Sequence, residues 1–231
     1  MSAPPDWMLT AQQRVLADLP DWFHRFAPPP HPEREAAVLV LLADGGDGLD
    51  VVLTERSARL RSHAGQVSFP GGRLDPGEDA VTAALREAQE EVGLDPASVD
   101  VVAVLPGLYL TPSETAVVPV LGWWREPGPL RVVDPAEVAR VERVPVADLV
   151  DPARRFTVRG PAGYTGPAFE AGGLFVWGFT AQLLSVVLDA CGLSRPWDTA
   201  VQRRLPFRYV RPYLTRRLTR RLTRRGRPGA R

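Results

Sequence analysis

The chain is predicted to fold as an α/β protein, a mixed β-sheet covered by helices on both faces. Three observations carry this. Short apolar runs of strand length recur from residue 36 onward, one two-faced helical stretch interrupts them at 79–92, and an apolar helical stretch closes them at 177–191. With 231 residues and 45% hydrophobic side chains the chain can bury a core of that kind, and one domain with appendages is the count its length implies. The expected division is a helical preamble and Pro-rich linker over 1–32, a main domain over 33–205 and an Arg-rich tail over 206–231.

In order, residues 9–22 have a helical pattern with Thr10 as the cap, and Pro28-Pro29-Pro30-His31-Pro32 makes a stiff linker. Trp7, Trp22, Phe23 and Phe26 are placed to dock this preamble on the body. Residues 36–43 and 49–54 read as strands joined by a glycine-rich turn, with a third short strand at 66–69. Strands at 99–105 and 115–123, a strand at 137–144 and a short helical segment at 146–149 follow. A hairpin of 155–159 with 169–175 encloses a loop at 160–166.

The stretch from Phe69 to Leu94 organises the rest. Between Glu78 and Gly93 there is neither proline nor glycine, and Gly93 followed by Pro96 is a stop signal, so 79–92 is helical. At about 100° per residue, Val81, Ala84, Leu85, Ala88 and Val92 share an apolar arc, whereas Glu87, Glu90 and Glu91 share another beneath Ala80 and Ala83. Three like charges within one turn repel by roughly 0.2–0.5 kcal/mol per pair, so they need solvent or a cation. Magnesium takes oxygen ligands and divides itself between carboxylates and substrate phosphates. The adjacent Gly71-Gly72 turn can bring backbone carbonyls and amides to the same place.

Gly72, Glu78 after five residues and, after seven more, Arg86-Glu87-Ala88-Gln89-Glu90-Glu91-Val92-Gly93-Leu94 match every fixed position of the Nudix box. The one soft position is Ala88, smaller than the aliphatic usual there. The stretch therefore resembles the Nudix hydrolases. That resemblance implies an α/β/α sandwich with a mixed β-sheet that hydrolyses nucleoside diphosphates linked to another group, using Mg²⁺ or Mn²⁺ held by the box glutamates.

A second signature stands just upstream. Arg56, Arg59, Arg61 and His63 fall within eight residues of one another and lead from a strand toward the glycine turn, and forked guanidinium groups suit bidentate phosphate binding. Leu53, Thr54, Arg56, Ser57, Arg61, Gly65, Phe69, Pro70, Gly71 and Gly72 resemble the pattern of the coenzyme A diphosphatase branch, with Val52 a mild departure. Trp177-Gly178-Phe179-Thr180-Ala181 is similar to that branch's closing helix. The resemblance implies cleavage of coenzyme A or acyl-CoA to adenosine 3′,5′-bisphosphate and 4′-phosphopantetheine or its acyl form. On this reading Glu87, Glu90 and Glu91 bind the metal, a carbonyl at Gly71 or Gly72 completes its shell, and Arg56 or Arg61 contacts phosphate. Glu78 and Arg86 pin the loop to the helix. Hydrolysis also needs a base or water-orienting carboxylate, for which Glu87, Glu90 and Glu114 are candidates. ADP-ribose or NADH is the alternative substrate class, and a non-catalytic Nudix-fold binding module is the alternative of another kind.

The remaining features bound the setting. Cys191 is the only cysteine, which excludes an internal disulfide, and no leader pattern opens the chain, so a reducing cytoplasm is the expectation. The apolar run at 174–191 carries Gln182 and Asp189 and is interrupted by Gly178, which argues against a membrane span. Net charge is +1, yet residues 208–231 hold ten arginines and no acid, leaving the body acidic. That tail repeats Leu-Thr-Arg-Arg from Leu214, Leu218 and Leu222; as a basic amphipathic helix it could contact anionic lipid, nucleic acid or the chain's own acidic body.

Overall fold

The computed structural model describes residues 3–18, 20–60, 62–111 and 113–210. The expectations for Arg61 and for the Leu-Thr-Arg-Arg tail fall outside these residues.

The central sheet is mixed. Its strands run β3 (Val67–Ser68), β2 (Leu49–Arg56), β1 (Arg34–Asp44), β7 (Thr115–Trp124) and β5 (Val99–Val104). β4 (Gly71–Arg73) pairs with the start of β1, β6 (Leu108–Leu110) with β7, and β8 (Val138–Pro145) with β2. β1 and β7 are parallel over ten residue pairs, from Arg34↔Thr115 to Ala43↔Trp124. A central parallel pair is buried on both faces, and the near-continuous apolar sequence of β1 follows from that. Ala37, Leu39, Leu41 and Ala43 face one core with Val52, Val120 and Trp124, while Val40 and Leu42 face the other with Val51, Leu53, Leu121 and Trp123.

Helix α4 (Ala80–Val92) covers the first face through Ala83, Ala84, Ala88 and Val92. Asp79 caps it, its side chain accepting from the N–H groups of Val81 and Thr82, and Gly93 ends it at φ 69°, where a side chain would be strained. Helix α6 (Gly178–Ala190) covers the opposite face, so the sheet is sandwiched between helices as expected. α5 (Val146–Leu149) forms where the sequence placed it.

Four expectations need correction. The preamble is not one helix but three short ones, α1 (Asp6–Leu9), α2 (Ala11–Ala17) and α3 (Asp21–Arg25). Thr10 makes no side-chain cap and its hydroxyl donates back to the Trp7 carbonyl, while Pro20, lacking an N–H, precedes a fresh helix. Residues 169–175 are not one strand: they turn at Gly172 and Gly173 between β10 (Thr165–Ala171) and β11 (Leu174–Val176). These join β9 (Arg155–Arg159) and β12 (Gln202–Arg204) in a second sheet ordered β11-β10-β9-β12, which a local reading of alternation cannot separate from the first. Finally, Ala83 and Glu91, assigned to the carboxylate face of α4, are buried.

Candidate active site

Gly71 and Gly72 lie on β4, held against β1 in the register Val38↔Gly71 and Ala37↔Gly72. Gly71 has φ 147°, and a Cβ there would strike the Ala37 carbonyl and the Val38 Cα, so only glycine lets the two strands meet. A Cβ on Gly72 would strike the Glu87 carboxylate, which therefore rests directly on the glycine backbone. The double glycine thus makes the seat for the acidic helix.

Arg86 organises that helix. Its Nε and Nη2 donate to the two carboxylate oxygens of Glu78, each at 2.9 Å, and Nη2 also donates to the Arg73 carbonyl at 2.9 Å. The Asp75 N–H closes the loop by donating to Glu78 at 2.9 Å. Hydrogen bonding to Glu78 holds the guanidinium protonated and the Glu78 carboxyl below the usual range. The remaining nitrogen, Nη1, donates to Glu87 at 3.1 Å and to Glu90 at 3.2 Å.

The three box glutamates sit in different surroundings. Glu90 is on the solvent side, its side chain 59% exposed, while that of Glu87 is 15% exposed. Glu91 is only 4% exposed and accepts the Gly71 N–H at 3.1 Å. Burial pushes the Glu91 carboxyl up to about 7, outweighing the Gly71 hydrogen bond and the Arg56 charge that favour ionisation, with Glu87 and Glu137 adding to the rise. Burial likewise raises Glu87 against the pull of Arg86. Among the described residues no three carboxylate, imidazole or thiol side chains already ring one point. Arg86 draws two of the glutamates and Gly71 the third.

This donor set still fits a hard divalent ion. It offers only oxygens, and it holds two desolvated carboxylates near a third acidic charge, which a cation would relieve. Glu87, Glu90 and Glu91 would hold the ion, with Arg86 Nη1 releasing the first two.

Arg56 ends β2, where a bulge breaks its pairing with β8. Its N–H donates to the Gln66 carbonyl and its carbonyl accepts the Gly65 N–H, which holds residues 65 and 66 against the end of β2. The Ser57 N–H donates to the Glu137 carbonyl at 2.7 Å, which ties Glu137 to the site. No motif marked Glu137, because its proximity arises from the β2·β8 pairing across some eighty residues of sequence. Glu114 stands apart: it is exposed at φ 53° beside Ser113, a cavity-lining residue that Glu114 does not join.

A cavity of about 440 Å³ is lined by Gly71 and Arg56 together with mostly apolar side chains. Trp177, Gly178, Phe179 and Thr180, singled out by the sequence, line it, and the Thr180 hydroxyl donates to the Val67 carbonyl at 2.9 Å. Trp22, Phe26, Leu108 and Tyr164, which no motif marked, line it too. No helix among the described residues is long and apolar enough to cross a membrane.

Comparison with known proteins follows this geometry. The NUDIX domain model matches residues 33–161. Nudix hydrolase 15, mitochondrial, of Arabidopsis thaliana is 38% identical over 183 residues, which cover 74% of this chain and 62% of that protein. Nudix hydrolase 22, chloroplastic, of the same plant is 46% identical over 120 residues, 48% of this chain and 38% of that one. The chain thus spans between about a third and two thirds of these relatives' length. The Nudix hydrolase NudL of Citrobacter koseri is 37% identical over 163 residues, 65% of this chain and 79% of that one. Among solved structures, a MutT/nudix family protein from Enterococcus faecalis aligns over 81% of this chain and 73% of its own, at 18% identity and a TM-score of 0.45.

Proposed function

Because the chain belongs to the Nudix hydrolase family, we propose that it is a metal-dependent diphosphatase that cleaves coenzyme A and acyl-CoA to adenosine 3′,5′-bisphosphate and 4′-phosphopantetheine or its acyl form. One observation carries this reading: Gly71 joins the two features such a substrate requires. Its N–H holds the buried Glu91 of the acidic helix, and it lines, with Arg56, a cavity large enough for an extended group.

The residues divide the work. Glu87, Glu90 and Glu91 would hold a divalent ion, Mg²⁺ or Mn²⁺, and a Gly71 or Gly72 carbonyl would add a further oxygen ligand. When bound, that ion supplies charge to offset the diphosphate oxygens and lowers the pKa of a water. Arg56 orients the diphosphate through its planar fork, and Arg61, marked by the sequence, is the second candidate for that contact. Glu87, with its carboxyl raised by burial, is suited to take a proton from the attacking water at a carboxylate oxygen. Glu78 and Arg86 keep the loop and helix in register and do not touch substrate.

The test is product identification after incubating the purified chain with coenzyme A and Mg²⁺ or Mn²⁺. Adenosine 3′,5′-bisphosphate and 4′-phosphopantetheine are expected. An intact coenzyme A pool alongside turnover of ADP-ribose or NADH would overturn the substrate while keeping the reaction class. A kcat/KM unchanged between coenzyme A and its dephospho form would remove a dedicated 3′-phosphate contact.

A further inference from the structure

Building on the coenzyme A reading, we propose that the N-terminal segment is part of the substrate site, with Trp22 and Phe26 forming the wall against which the uncharged pantetheine arm packs. The segment is fixed to the body rather than appended to it. Phe23 is buried in the main core, and Trp22 packs at its edge with ring centroids 5.2 Å from Phe23 and 6.3 Å from Phe26. The Phe26 carbonyl accepts the Tyr109 N–H of β6 at 2.6 Å, so the backbone that carries both aromatic side chains is tied to the central sheet.

The choice of arm follows from charge. A substrate with its diphosphate at Arg56 and Gly71 extends one of its two ends into the cavity. The nucleotide end of coenzyme A carries a phosphate that needs a cation of its own. Among the described residues lining the cavity, only Arg56 and His63 have basic side chains; Arg56 ends β2 and His63 lies between β2 and β3. The rest of the lining is predominantly apolar or aromatic, which suits an extended group without net charge. Trp22 and Phe26, with Tyr164 and Gln182, also border a second cavity of about 620 Å³, so the two cavities adjoin at these side chains.

The experiment compares kcat/KM for coenzyme A with that for a truncated analogue ending in a methyl ester of the diphosphate, in wild type, Trp22→Ala and Phe26→Ala. Leu16→Ala, exposed on the same segment and outside both cavities, is the control. Wild type is expected to favour coenzyme A, and each aromatic variant to lose about fivefold to twentyfold of that preference, the usual effect of removing one aromatic anchor. Phe26 is partly exposed and its backbone bond survives truncation, so Phe26→Ala stays informative if Trp22→Ala fails to fold. Saturation-transfer NMR with pantetheine alone gives a readout free of hydrolysis: signal transfer to its methyl groups in wild type, reduced in Phe26→Ala. A preference and NMR transfer both unchanged in the variants would overturn the inference while leaving the diphosphatase intact. A wild type that cleaves neither compound overturns the function and this inference with it.

Discussion

Replacing Glu91 with glutamine separates the stability of the site from its chemistry. Glu91 is 4% exposed and its carboxyl is raised from 4.5 to about 7, so the folded chain holds that proton more tightly than the unfolded chain does. The stabilisation from this group is complete below about pH 4.5 and is lost as pH rises through about 7. Ionising it inside the fold therefore costs roughly 3 kcal/mol at pH 8. Glutamine keeps an oxygen for the Gly71 N–H and carries no charge at any pH. In EDTA the variant should be about as stable as wild type at pH 4.5 and more stable by up to roughly 3 kcal/mol at pH 8, or roughly 6–10 °C in Tm. Denaturant unfolding of metal-free protein across that range measures the difference, and the same variant should lose turnover. A variant no more stable than wild type at pH 8, or a difference independent of pH, would refute the argument that a desolvated, uncompensated carboxylate sits there.

Three further outcomes are expected. Gly72→Ala should cut kcat by about a hundredfold while leaving the fold recognisable by circular dichroism, because the atoms nearest its Cβ belong to the Glu87 carboxylate, a side-chain end that can move, and misplacement of that order is costly. Gly71→Ala should instead destabilise the chain by about 2–4 kcal/mol, since its Cβ meets β1 backbone that cannot yield and its φ is strained, a loss read by denaturant midpoint. Cys191, buried with its thiol pushed up to about 12, should resist iodoacetamide in the native chain at pH 8 and react promptly once unfolded.

What was legible beforehand was what is encoded locally. The helix ending at Gly93 shows its apolar arc and its stop locally, though Asp79, which the sequence pattern places inside the helix, is its cap, and the double glycine announces a close backbone approach. The Glu78–Arg86 clamp is an expectation from the family resemblance, and its geometry is bidentate. Differences between the three glutamates were not legible, because periodicity places them on one arc while burial at the β4 edge separates Glu91 from Glu90. Glu137 and the second sheet depend on long-range pairings, β2 with β8 and β9 with β12, that leave no local trace. Trp22 and Phe26 were expected to dock the preamble, yet nothing in their spacing showed that the surface they dock on is the edge of a cavity.

The most direct measurement is titration of Mn²⁺ into the metal-free chain, followed by electron paramagnetic resonance, for wild type, Glu87→Gln and Glu91→Gln. The account predicts saturable binding in wild type, weakened at least about tenfold in each variant, as loss of a charged oxygen ligand to a hard cation requires. Equal binding in all three would contradict it and place the ion, and with it the reaction, somewhere other than on the helix beside Gly71 and Gly72.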